Sequence, residues 1–213
     1  MSLLFYTKGS GIMANPMFSI TYGLYVLCAK EGDKDNGCII NTFAQITSTP
    51  NRVSITVNKQ NYTHDMIEKT GRFCVSCLTQ ETPFDIIKHF GFSSGKDSQK
   101  FFSNPNAKRS KSGIIYLPTY TNAFFSCKVL HAYDYGTHTM FIAEVEEMES
   151  LSDAPSLSYD YYHKNIKPNP KKEVKKKGFV CKICGYVYEG DELPPDFVCP
   201  ICKHTAEDFE KIE

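Results

Sequence analysis

The sequence predicts a mainly β protein with a small metal-binding ribbon at its C-terminal end. Strand-like segments rich in β-branched and aromatic residues cover most of the chain before residue 160, a Lys/Pro-rich stretch follows, and two Cys-x-x-Cys pairs lie beyond it. With 213 residues, the chain is long enough for one full-sized domain and a small second one. We therefore divide it into an N-terminal extension (1–15), a β domain (16–163), a linker (164–177) and a metal domain (178–213).

Five segments of the β domain have the composition of strands, with stretches of alternating apolar and polar residues. They are residues 18–28, 53–57, 73–78, 123–132 and 139–145. The turn residues Asp134, Tyr135 and Gly136 predict a hairpin between the last two segments. Many short strands with few helices favour a barrel.

Capping and breaking residues predict two short helices in the same domain. Thr63 is expected to cap a helix over 64–69, which Gly71 ends because glycine readily adopts the left-handed conformation found after helices. Thr82 and Pro83 are expected to open a second helix, which stops at Gly91.

The nine cysteines indicate reduced thiols and metal ligation rather than disulfides, because their number is odd and no secretory signal precedes them. Cys74 and Cys77 are three positions apart in a strand pattern, so they should face opposite sides and not form a redox pair. Cys28, Cys38 and Cys127 are likewise interpreted as buried structural residues.

Composition and charge argue against several classes of function. No segment approaches the roughly 20 apolar residues that cross a bilayer, so we expect a cytoplasmic protein with no membrane partner. The net charge is zero, which gives no indication of nucleic-acid binding. The linker has seven lysines against one acidic residue. A solvated tether is the main interpretation, and a nucleic-acid or anionic-lipid patch is the alternative.

The four-cysteine motif is the most specific feature of the sequence. Cys181 and Cys184 form one pair and Cys199 and Cys202 form the other, with fourteen residues between the pairs. Two such knuckles can bring four thiolates to one ion with tetrahedral geometry, which suits iron and zinc alike. The spacing therefore predicts a metal site without choosing the metal.

The residues around these cysteines resemble rubredoxin over 178–213. The resemblance rests on both knuckles, on the segment Leu193-Pro-Pro-Asp-Phe-Val and on the aromatic residues Tyr186, Tyr188, Phe197 and Phe209. It implies one iron ion that carries single electrons, with a structural zinc as the alternative. The segment between the knuckles is shorter than in long-loop rubredoxins and similar to that of modules attached to other redox proteins. The eight acidic residues of this domain would steer it toward basic partner surfaces.

The β domain contains no Rossmann, P-loop or nucleophile-elbow motif. It does contain a polar run over 41–50 and a second polar stretch over 58–64, which leads into the first predicted helix. Hydroxyls, amides and a lysine near a helix start can hold a phosphate. Ordinary loop and capping roles explain the same residues as well.

The order of motifs in this domain resembles the flavin reductase-like, FMN-binding split-barrel family. The motifs are Tyr22-Gly-Leu-Tyr-Val, Asn36-Gly, the 41–50 run, Val57-Asn-Lys-x-x-Tyr-Thr-His, Gly71-x-Phe-x-Val, the segment 90–101 and Gly136-Thr-His. The resemblance implies an FMN-binding split β-barrel with short helices, usually homodimeric. Together with the metal domain, it resembles the high-molecular-weight rubredoxins.

The resemblance also implies a set of site residues. Asn41, Thr42, Gln45, Thr47 and Ser48 would line the flavin, largely through backbone groups; Asn58, Lys59, Thr63 and His64 would bind its phosphate; Phe92 and Ser94 would close the site. His138 matches the histidine of the family's Gly-Asp-His motif and would be the catalytic residue near the nicotinamide, although Thr137 replaces the Asp. A structural role for His138 beside a strand is the alternative.

The implied activity is that of an NAD(P)H-dependent FMN/rubredoxin oxidoreductase. Hydride from NAD(P)H would reduce bound FMN, and single electrons would then pass to the tethered iron and to an external acceptor such as a flavodiiron protein. Two alternatives stay open. One is a flavin reductase that supplies reduced FMN and has a structural zinc, and the other is a non-enzymatic carrier reduced by another protein.

Overall fold

The computed structural model describes residues 19–92, 95, 100–101, 107–168, 178–183, 185–199 and 204–212. The predicted extension 1–15 lies outside them. The elements of the β domain are β1 Tyr25–Glu31, β2 Lys34–Ile40, β3 Ala44–Ser48, β4 Asn51–Asn58, α1 Tyr62–Thr70, β5 Arg72–Leu78, α2 Phe84–Gly91, β6 Lys108–Arg109, β7 Ile115–Tyr116, β8 Thr121–Asp134, β9 His138–Ser150 and α3 Tyr159–Tyr161. A π-helical turn, Tyr162–Ile166, follows α3.

Seven strands form one antiparallel sheet in the order β2-β1-β5-β8-β9-β4-β3. At its centre is the hairpin of β8 and β9, which are 14 and 13 residues long. Register shifts between Ser126 and Cys127 and between Val129 and His131 bend this hairpin. β2 and β3 are the two edges of the described sheet. The mainly β fold with short helices, predicted from the sequence, is confirmed.

The sheet is buried on both faces around β1 and β5. In β1, Leu27 and Ala29 belong to one apolar cluster, which α1 covers, whereas Val26 and Cys28 belong to a second cluster, which α2 covers. Alternate residues of a strand point to opposite faces, so burial on both faces produces the continuous apolar runs seen in the sequence.

Four of the five predicted strands are confirmed, as is the hairpin. The segments 53–57, 73–78, 123–132 and 139–145 lie within β4, β5, β8 and β9. The segment 18–28 is only partly a strand, because β1 begins at Tyr25. The sequence missed β2, which contains Asp35, Asn36 and Gly37, and it missed β3, an exposed edge strand. Neither has the apolar pattern of a central strand.

Both predicted helices are confirmed in position, but the predicted N-cap of the first helix is wrong. Asn61, not Thr63, is the N-cap of α1: its side chain accepts a hydrogen bond from the Thr63 backbone N–H. Gly71 ends α1 with a φ of 66°, as predicted. α2 follows Pro83 and ends at Gly91, also as predicted. Among the described helices, none is long and apolar enough to cross a bilayer.

The cysteines of the β domain are free thiols. Cys74 lies in the cluster under α2, whereas Cys77 lines a groove beside Tyr25 and Phe43, which pack against the other cluster. The two therefore lie on opposite faces, as predicted. Burial raises the pKa of Cys77 to about 12, so this thiol stays protonated at neutral pH although it is only half-buried.

The metal domain is a three-stranded sheet in the order β11-β10-β12. Its strands are β10 Gly178–Cys181, β11 Val187–Tyr188 and β12 Phe209–Ile212, and a 3-10 turn, Ala206–Asp208, leads into β12. Phe197 packs against Tyr188 and Phe209, with ring centroids 4.8 and 5.3 Å away. The predicted aromatic shell is therefore present.

The β domain extends into the predicted linker. The π-helical turn continues to Ile166, whose side chain packs against the cluster under α2. Residues 169–177, which contain most of the lysines, lie outside the described part of the chain.

Phe73 provides a test of the packing on the α1 side of the sheet, because it is fully buried. We expect Phe73→Ala to lower the free energy of unfolding by about 3 kcal/mol or more, since the substitution leaves a cavity in a close-packed core. Urea denaturation followed by far-UV circular dichroism measures this. Ile20→Ala, at a side chain that is 46% exposed, should change the value by less than about 0.5 kcal/mol. Equal effects of the two variants would contradict the assignment of the core.

Candidate functional site

The two described cysteines of the metal motif occupy equivalent positions. Cys181 and Cys199 are both fully buried. The Cys181 N–H donates to Tyr186 O over 2.8 Å, and the Cys199 N–H donates to His204 O over the same distance. Each knuckle is thus closed by a bond to the residue five positions later. Cys184 and Cys202 lie outside the described residues.

The residues around Cys181 fit a metal knuckle. Gly185 has a φ of 78°, a conformation that favours glycine, and its N–H donates to Cys181 O over 2.9 Å. Lys182 is held to the C-terminal segment by its backbone N–H, 2.8 Å from Asp208 O, and by its ammonium group, 3.0 Å from Glu207 O. Buried thiols on turns fixed in this way suit a four-thiolate iron or zinc ion.

A polar corner forms where β4 ends, α1 begins and the β8–β9 hairpin turns. Asn58, the last residue of β4, pairs with His138, the first of β9. The Lys59 N–H donates to Thr137 O over 3.0 Å, and the Lys59 ammonium lies 2.6 Å from the Asp134 carboxylate. We call Asn58, Lys59, Asp134, Thr137 and His138, together with the start of α1, the α1 corner. The fold therefore brings His138 next to the residues predicted to bind phosphate.

Charge in the α1 corner is balanced by one ion pair. The hydrogen bond from Lys59 lowers the pKa of Asp134, with a further contribution from the Gly136 N–H. Both partners are exposed, at 34% and 66% of their side chains, so the pair adds little to stability. The Lys59 ammonium is at the surface, on a residue two positions before the N-cap of α1, and the dipole of that helix also favours an anion.

Thr63 and His64, in the first turn of α1, are the buried part of the α1 corner, at 0% and 3% exposed. Thr63 accepts a hydrogen bond from the Asn36 amide over 2.9 Å. The His64 ring joins Asp65 Oδ1 at 3.1 Å and Thr139 Oγ1 at 2.8 Å. Both side chains hold α1 against β2 and β9, so they position the corner from below.

The predicted 41–48 residues lie along the exposed edge of the sheet. Thr42 Oγ1 donates to Thr56 O over 2.7 Å and accepts from the Thr56 N–H, near the α1 corner. Thr47 and Ser48 pair with Arg52 and Asn51 at the far end of β4, roughly 20 Å from Asn58 along the strand. Of the other two, Asn41 is half-buried and Gln45 exposed. An extended ligand in contact with all these residues would lie along the β3 edge.

Gly95, four positions beyond the end of α2, lies against Asn36, whose amide donates to Thr63 in the first turn of α1. Phe92, at the end of α2, is half-buried and lines a cavity of about 170 Å³. A Cβ at Gly95 would lie 2.0 Å from Asn36 Oδ1, so only glycine allows this approach. Ser94 lies outside the described residues.

The sequence did not identify Asn36, Asp134 or Thr139 as part of the site. Each of them contributes by a hydrogen bond to a partner distant in the chain: Thr63, Lys59 and His64, respectively.

Comparisons with known proteins assign the two parts of the chain to two different families. Residues 17–169 match the family model of the flavin reductase like domain, and residues 179–210 match that of the rubrerythrin, rubredoxin-like domain. The high molecular weight rubredoxin of Moorella thermoacetica is 35% identical, over 92% of this chain and 98% of that protein. The ferric-chelate reductase (NAD(P)H) of Archaeoglobus fulgidus is 36% identical, over 68% of this chain and 86% of that protein.

A solved structure supports the fold of the β domain. The FMN-binding protein of Thermus thermophilus, determined with bound p-hydroxybenzaldehyde, superposes with a TM-score of 0.61 over 73% of this chain and 91% of that one, at 17% identity. The chain therefore belongs to the flavin reductase like family, in a two-domain form with a C-terminal rubredoxin-like domain.

Proposed function

We propose that this protein is an oxidoreductase that transfers electrons from NAD(P)H, through bound FMN, to a rubredoxin-type iron centre and on to an external acceptor. The observation that carries the proposal is the presence of both redox domains in one chain, with the same arrangement over 98% of the length of a high molecular weight rubredoxin. A flavin accepts two electrons as hydride and can release them singly, which suits a one-electron metal centre.

The α1 corner would hold the phosphate of FMN. Lys59 supplies a surface ammonium group and α1 supplies the positive end of its dipole. Asn58 lies at the surface beside them, while Thr63 and His64 fix the corner from below. The exposed β3 edge would line the flavin ring through backbone groups of the residues Asn41, Thr42, Gln45, Thr47 and Ser48. Phe92 and Ser94 would close the site.

His138 is the proposed residue near the nicotinamide. It is half-buried beside Asn58, and its Nδ1 lies 2.8 Å from Thr137 Oγ1. The hydroxyl can donate to or accept from this nitrogen, so it can orient the ring in either tautomer. Thr137 would in this way take over the orienting role of the acidic residue found in the family motif.

Cys181, Cys184, Cys199 and Cys202 would bind the metal. Two of these thiols are buried on matching turns, and the rubredoxin-like family match over 179–210 favours iron over zinc. The iron would accept one electron at a time and deliver it to a partner protein such as a flavodiiron protein. The surplus of acidic groups on this domain suits transient docking on a basic surface.

We further propose that the protein is a cytoplasmic homodimer. Tyr133, Tyr135 and Met148 on the β8–β9 hairpin and Ile46 on the β3 edge are between 46% and 66% exposed. Large apolar side chains on one hairpin and one sheet edge are a common feature of subunit interfaces.

The second candidate is a flavin reductase that supplies reduced FMN, with the metal domain only structural. The ferric-chelate reductase of Archaeoglobus fulgidus favours this second candidate. The match covers 86% of that protein but only 68% of this chain, which is about the length of the β domain alone. In that case the metal would be zinc and no electron would reach it.

An anaerobic visible spectrum with metal analysis, before and after NADH or NADPH is added, separates the candidates. We expect iron and FMN in the purified protein, with the flavin and ferric-thiolate bands bleaching together. Zinc, or iron that stays oxidised while the flavin bleaches, would favour the flavin reductase. Iron and flavin that are both unchanged by either nucleotide would favour a carrier reduced by another protein.

Lys59→Gln tests the phosphate site. Loss of a charge-assisted hydrogen bond to phosphate should weaken FMN binding about tenfold, while riboflavin, which lacks the phosphate, should bind with unchanged affinity. Fluorescence titration measures both. Asp134→Asn is the matched control, because it removes the same ion pair but keeps the ammonium group, and it should retain FMN binding. Equal losses for FMN and riboflavin would place the phosphate elsewhere.

A further inference from the structure

An apolar side chain of the metal domain lies against the β domain. Ile183, two positions after Cys181, lines the cavity of about 170 Å³ together with Ile39, Phe92, Tyr159, Tyr162 and His163. We call these five residues of the β domain the socket. Ile183 is 37% exposed, so most of its surface is covered although it lies on the outside of its own domain.

A hydrogen bond accompanies this contact. The Lys167 ammonium donates to Lys182 O over 2.5 Å. The Lys167 N–H donates to Tyr162 O over 2.8 Å, which fixes it to the π-helical turn, and the Lys182 N–H donates to Asp208 O. The two ends of the bond are thus held by the folded cores of the two domains. Polar and apolar contacts therefore join the same two segments.

The socket is a set of aromatic rings that pack on one another. Tyr159 lies edge-on to His163, with ring centroids 4.5 Å apart, and Tyr162 lies 5.1 Å from His163. Tyr162 is itself part of the cluster under α2. Burial, followed by the nearby Lys167 charge, lowers the pKa of His163, so its ring is neutral and suits an apolar partner at neutral pH.

We propose that the socket is the docking site at which the metal domain receives its electron, with Ile183 as the residue that positions it. This inference rests on the proposed function. Phe92 connects the two sites, because it is both a wall of the socket and a residue predicted to close the flavin site. In the step itself, reduced flavin loses one electron and ferric iron becomes ferrous, and no covalent bond forms or breaks.

The proposed docking is reversible, because the Ile183 side chain stays 37% exposed and is not sealed from water as residues in the core of a stable interface are. The tether keeps the domain at high local concentration, so even a weak contact is often occupied. The domain can then leave the socket and present its metal to an external acceptor.

Hydrogen–deuterium exchange on the zinc-loaded full-length protein tests docking without any redox chemistry. Ile183→Ser should raise the exchange rate of backbone amides in 159–166 severalfold, because the socket loses its cover. Val198→Ser is the matched control: Val198 is an exposed apolar residue next to Cys199 in the same domain, and it should leave these amides as in the wild type. Unchanged exchange in Ile183→Ser, or the same increase in both variants, would overturn the proposal.

Stopped-flow spectroscopy on the iron-loaded proteins tests the role of docking. After NADH is added anaerobically, the flavin of Ile183→Ser should bleach at the wild-type rate and its iron about tenfold more slowly, while Val198→Ser should match the wild type in both phases. Iron that is reduced at the wild-type rate in Ile183→Ser would overturn the role of the socket. If the flavin fails to bleach in every variant, the proposed function fails, and the exchange measurement still decides whether the domain docks.

Discussion

The long antiparallel pairing of β8 with β9 is the interaction on which most of this structure depends. In the described sheet these two strands lie between β5 and β4, so hydrogen bonding from one half of the sheet to the other passes through them. Their bulges bend the hairpin, and its tip delivers Asp134 and His138 to the end of β4 and the start of α1. The α1 corner therefore depends on hydrogen bonding in the sheet and on a helix cap, neither of which requires a ligand.

Placement of Phe92 depends on a buried lysine. Lys100 is 4% exposed, and its ammonium group donates to Gly37 O over 2.8 Å and to Phe90 O over 3.0 Å. Burial lowers the pKa of Lys100, because charge is costly away from water, and the two carbonyl groups offset part of that cost. The bonds hold the end of α2 against β2, and Phe92, a wall of the socket, follows directly after α2.

The two domains are stabilised in different ways. The β domain has two apolar clusters, one on each face of its sheet. The metal domain is too small for a comparable core and has Phe197 packed among three other aromatic rings, so metal ligation would supply much of its stability. Each domain therefore has apolar packing of its own.

The sequence by itself determined the presence of two domains, the central strands and the Gly71 helix end, and it predicted the four metal ligands. These signals are local. Each of them, whether a Cys-x-x-Cys spacing, an apolar run or a glycine after a helix, involves only a few neighbouring residues. Only the tertiary structure decided that Asn61 caps α1, that β2 and β3 are strands, and that Ile183 meets the socket. It also decided that Lys59 pairs with Asp134, 75 positions away. Sheet order brings such residues together, and that order arises from burial of both faces of the sheet, which no single segment of the sequence encodes.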